Sequence, residues 1–71
     1  MLEELKKRLS QKKQKLEIKK QAIHLSVIYE SDFLNQLGRR GLLELRDELL
    51  DNINLLTKEL DDLQKEINNY G

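Results

Sequence analysis

The side chains able to do chemistry in this chain are carboxylates, amines and one imidazole, and their spacing decides what they can do together. His24 is the single histidine and there is no cysteine among the 71 residues. A tetrahedral metal site wants three or four nitrogen or sulfur ligands, so no metal site is expected. The missing thiols also exclude disulfides and a cysteine nucleophile, and they suit a reducing, cytoplasmic compartment. The acids come as neighbours, Asp47-Glu48 and Asp61-Asp62. Adjacent residues on a helix point about 100° apart, so neither pair converges on a substrate. With no nucleophile–base pair and no glycine loop to cradle a phosphate, the chain is expected to be no enzyme and to hold no cofactor.

The densest chemical signal is basic. Lys6, Lys7, Arg8, Lys12, Lys13, Lys15, Lys19 and Lys20 fall in a stretch that holds one acid, Glu17. Such density suits the phosphates of nucleic acid or acidic lipid. It equally suits a solvated face that complements an acidic partner helix, and the charge map favours this second reading. Residues 1–37 carry eight basic against five acidic side chains, residues 38–71 carry five against eight, and the net charge is zero. Two halves of opposite sign attract when folded together, so nucleic acid is the lesser reading.

These groups must be positioned by helices. Charged residues make up 37% of the chain and aromatic residues 4%, a composition of long helices rather than sheets. Leu2, Leu5, Leu9, Leu16, Ile23 and Leu37 repeat in three-four steps, with Lys12, Lys19, Ser26, Glu30 and Phe33 filling the same seam. Leu42, Leu49, Ile53, Leu56, Leu60, Leu63, Ile67 and Tyr70 do the same, broken only by Arg46. Between the two runs stands Gly38-Arg39-Arg40-Gly41, in a chain with no proline and three glycines. Glycine is the commonest residue just past a helix end, where positive φ is needed. The expected fold is all-α, a single coiled-coil-like hairpin domain over residues 1–71: helix 2–37, turn 38–41, helix 42–70. Of the two turn glycines, one is expected to take the positive φ.

Folding about that turn sets residue i opposite residue 79 − i, which places Leu16 near Leu63, Ile23 near Leu56, and Lys12, Lys15 and Lys19 beside Asp61, Asp62 and Glu66. Glu30 falls within a turn of Arg46. Ser31-Asp32 reads as a helix start, so a restart near Glu30 is as compatible with the pattern as an unbroken first helix. The octet Ala22–Tyr29 points apolar side chains around most of a helix; its alternation also permits a short strand, which the helical pattern before it disfavours. Ala22, Ile23, Leu25, Val27, Ile28, Tyr29, Leu43 and Leu50 exceed what one seam can bury. They are the candidate interface residues for a second copy and for a partner protein. A chain this short gains only about 3–5 kcal/mol from one core, and dimerisation into an antiparallel four-helix bundle would supply the missing burial. The longest apolar run is three residues, so no membrane span is expected.

Two resemblances bear on function. Thr57-Lys58-Glu59-Leu60-Asp61 resembles, at three of five positions, the Ser-Gln-Glu-Leu-Asp signature of the small helical-hairpin phosphatases that act on sporulation response regulators. The serine and glutamine are absent, and no loop lies just upstream. In size and architecture, though not in motif, the chain is similar to plasmid RNA-binding hairpin dimers. These imply aspartyl-phosphate hydrolysis and nucleic-acid binding as alternatives. The primary expectation is a small interaction or regulatory protein that self-associates and binds a partner protein through an exposed apolar helix face.

Overall fold

The computed structural model describes residues 1–70; Gly71, the third glycine, lies outside them. The fold is all-helical. Two helices, α1 (Leu2–Ile28) and α2 (Glu30–Asn69), pack antiparallel into a rod of 51 × 15 × 14 Å. The octet 22–29 belongs to α1 rather than to a strand, apart from Tyr29 at its end. Each helix opens with acids, Glu3 and Glu4 in α1 and Glu30 and Asp32 in α2, where the exposed N–H groups favour negative charge. Among the described residues, no helix is long and apolar enough to cross a membrane.

The expected turn at 38–41 reduces to one break at Gly38, and a kink at Tyr29 precedes it. The chain leaves α1 at Tyr29 (φ −104°, ψ 37°), runs helically over 30–37, breaks again at Gly38 and continues as the trunk of α2. Tyr29 carries the ladder across the first break: its N–H reaches the Leu25 carbonyl at 2.8 Å, and its carbonyl accepts from Phe33 N–H at 3.1 Å. Ser31 and Asp32 thus stand in the first turn of a restarted helix. Among the described residues Gly38 alone takes a positive φ, 75° with ψ 170°. That region is closed to side chains, and it is not the left-handed helical cap the sequence suggested. Arg39, Arg40 and Gly41 are helical. Gly41 serves a different need, because a Cβ there would lie 3.1 Å from Leu37 Cβ.

With the first break nine residues earlier than Gly38, the register moves as well. Ser26 meets Arg46, so residue i of α1 lies level with residue 72 − i of α2, one heptad from the expected 79 − i. Leu16 is level with Leu56 and Ile23 with Leu49. A slip of one whole heptad leaves every apolar residue in the seam, which is why periodicity did not separate the two. Burial is concentrated toward the turn. Leu42 and Leu49 are the buried apolar residues there, whereas Leu5, Leu9, Leu63 and Ile67 at the open end are half-buried. Two helices enclose a seam from two sides only.

Candidate interaction surface

Arg46 is the one basic residue in the seam of α2, and it closes the end of α1. The last carbonyls of a helix lack intrahelical donors, and α1 has no basic residue in its last turn to offset its negative pole. Arg46 supplies both charge and donors from the other helix. Its Nη2 donates to the Ser26 carbonyl at 2.9 Å and its Nε to Ser26 Oγ at 3.2 Å; Ser26 Oγ in turn donates to the Ile23 carbonyl at 2.6 Å. Ser26 is fully buried, and Arg46 Nη2 lies 3.7 Å from Glu30 Oε1. The proximity of Glu30 to Arg46 is as expected.

A second polar layer crosses the seam nearer the open end. Lys12 donates to Glu59, not to the expected Asp61, Asp62 or Glu66. Lys19 is also half-buried in the seam. Long lysine stems cover apolar surface while their ammonium groups leave at the edge.

Helical periodicity sorts the remaining side chains onto two opposite faces of the hairpin, because in an antiparallel pair the same heptad flank of both helices points to the same side. One is a groove face. An open groove of about 600 Å³ runs there between the chain ends, lined by Met1, Glu4, Arg8, Glu66, Asn69 and Tyr70. Lys12–Glu59 closes over the same side. Further toward the turn the α1 side of the face becomes apolar: Ile18, Ala22, Leu25 and Tyr29 follow one another at four, three and four residues, and across from them α2 presents Leu45 and Leu55 with Glu48 and Asn52 between. Ile18 (64% exposed), Leu25 (46%), Tyr29 (53%) and Leu55 (56%) stand open to solvent. The opposite face is a lysine face. Lys6, Lys13 and Lys20 recur every heptad, and across from them α2 presents Gln64, Thr57 and Leu50, none acidic; Val27 and Leu43 complete it at the turn end.

The eight candidate interface residues therefore do not form one patch. Ala22, Leu25 and Tyr29 lie on the groove face, Val27, Leu43 and Leu50 on the lysine face, Ile28 on the back of α1, and Ile23 half-buried in the seam. Ile18, Leu45 and Leu55, outside those eight, share the groove face with Ala22, Leu25 and Tyr29. The signal for Ile18 was present, since it precedes Leu25 by one heptad. The eight basic candidates are likewise dispersed: Lys12 and Lys19 enter the seam, Arg8 and Lys15 the groove face, Lys6, Lys13 and Lys20 the lysine face, and Lys7 the back. In the string Thr57–Asp61, the Thr57 hydroxyl donates to the Ile53 carbonyl, Glu59 is taken by Lys12 and Asp61 by Lys65, all in mid-helix. Among the described residues there is no cluster of three metal-ligating side chains. No family model, curated protein or solved structure matches the chain.

Proposed function

We propose that this chain is a small, non-enzymatic helical-hairpin interaction protein of a regulatory kind, which self-associates into a four-helix bundle and engages a partner protein through an apolar helix face. The supporting observation is the imbalance of apolar surface. Among the described residues eleven large apolar side chains are exposed and two are buried. A free-standing hairpin would leave the stripe Ile18, Ala22, Leu25 and Tyr29 in water, and each large side chain fully covered contributes about 1.5–3 kcal/mol. Stripes of this spacing are what helix-in-groove recognition and bundle formation use. A cytoplasmic location belongs to the same proposal and rests on the cysteine-free composition.

Sedimentation equilibrium together with thermal unfolding over a hundredfold range of protein concentration tests the reading. A dimer mass and a melting temperature that climbs with concentration are expected. A monomer mass at high micromolar concentration, with an unchanging melting temperature, refutes self-association.

A further inference from the structure

Resting on the self-association reading, we infer that the second copy docks on the groove face, with the turns of both hairpins at the same end of the dimer. The occupant is identified by matching the face against itself. With the two-fold axis parallel to the rods, α1 of one copy lies against α2 of the other at the same level. The more apolar halves then meet: Ile18, Ala22, Leu25 and Tyr29 face Leu45 and Leu55 of the second copy, together with Glu48 and Asn52 that stand between those leucines. The polar half matches by sign at Arg8 and Lys15, which face Glu59, Asp62 and Glu66, while Glu4 at the open end meets Asn69. Reversing one rod undoes both matches, setting α1 against α1 and the apolar half toward the charged end.

The lysine face is the poorer choice for the same occupant. Pairing it would turn Lys6, Lys13 and Lys20 of both copies inward against glutamine, threonine and leucine, leaving six ammonium groups desolvated without directly facing acids. Size is compatible with a dimer. A rod face of 51 × 15 Å is close to the ~800 Å² per side that a standard interface buries. The lysine face, with Val27, Leu43 and Leu50, remains open.

The chain has no cysteine, so single substitutions label it cleanly. Spin labels at Q36C near the turn and, in a separate sample, at K7C near the open end report the distance between copies by pulsed electron resonance. Turns together give both distances at about two to three helix diameters, roughly 20–30 Å. A reversed dimer gives about the rod length of 51 Å at Q36C and roughly 35–45 Å at K7C, which lies about five residues in from the open end, and overturns the topology while leaving self-association intact. For the choice of face, I18D with L25D should weaken dimerisation by at least about tenfold, and V27D with L50D should leave it unchanged; the opposite pattern overturns the assignment. As a further readout, an R8E/K15E chain mixed with a D62K/E66K chain should form the heterodimer in preference to either homodimer. Statistical mixing would overturn the charge matching. A monomer at high micromolar concentration for the unmodified chain refutes the self-association reading itself.

Discussion

Replacing Arg46 by alanine removes the group that ends α1. Two hydrogen bonds disappear, to the Ser26 carbonyl and to Ser26 Oγ, and because Ser26 is fully buried water does not readily take the place of the guanidinium. A hydrogen bond to a charged group contributes about 1.5–3 kcal/mol, and orphaning a buried acceptor costs about 1–3 kcal/mol. These describe the same loss from two sides and are not summed. The half-exposed Glu30 partner adds no more than about 0.5 kcal/mol. The expected cost is therefore about 2–3 kcal/mol, against the roughly 3–5 kcal/mol a core of this size supplies. At about 4–8 °C per kcal/mol for a short domain, the melting temperature should fall by about 10–20 °C, read by circular dichroism at one fixed protein concentration. Glu30→Gln, the control, should stay within about 0.5 kcal/mol of the parent. An Arg46→Ala protein that melts within a few degrees of the parent would show that α1 needs no donor from α2.

Gly38→Ala should cost about 1–3 kcal/mol, because φ 75° with ψ 170° is a glycine-only conformation; chemical denaturation gives the value. Gly41→Ala should fall within about 1 kcal/mol of the parent, its gain in helix propensity opposed by the 3.1 Å approach to Leu37 Cβ. Were Gly41→Ala the more damaging, the assignment of the break to Gly38 would fail. A double-mutant cycle on Lys12 and Glu59, both about one-third exposed, should return a coupling of about 0–1 kcal/mol that shrinks as salt is raised. Fluorescence anisotropy with duplex DNA and structured RNA should show no submicromolar binding at physiological salt. Tight binding that falls steeply with salt would favour the nucleic-acid reading instead.

The sequence by itself determined the two helices, their antiparallel pairing and the region of reversal. Three-four repeats allow little else, and the attraction between a basic first half and an acidic second half needs no coordinates to be seen. The pairing of Glu30 with Arg46 was also legible, as were Ser31 and Asp32 as a place for the chain to restart. The register was not, since heptads are degenerate under a slip of seven and both 79 − i and 72 − i bury the same seam. Only the tertiary structure chose, by placing Arg46 where the last turn of α1 had carbonyls and a negative pole to satisfy, and by breaking the chain at Tyr29 rather than only at the glycines. The candidate surface divided in the same way. Read as a string, Ala22–Tyr29 already pointed around most of a helix, with Ala22, Leu25 and Tyr29 on one face and Ile23 and Val27 on another, but which residues of α2 join each face depends on where the neighbouring helix lies. The position of α2 set Leu25 and Tyr29 on the groove face with Ile18 and Leu55, and sent Val27 to the opposite face with Leu43 and Leu50.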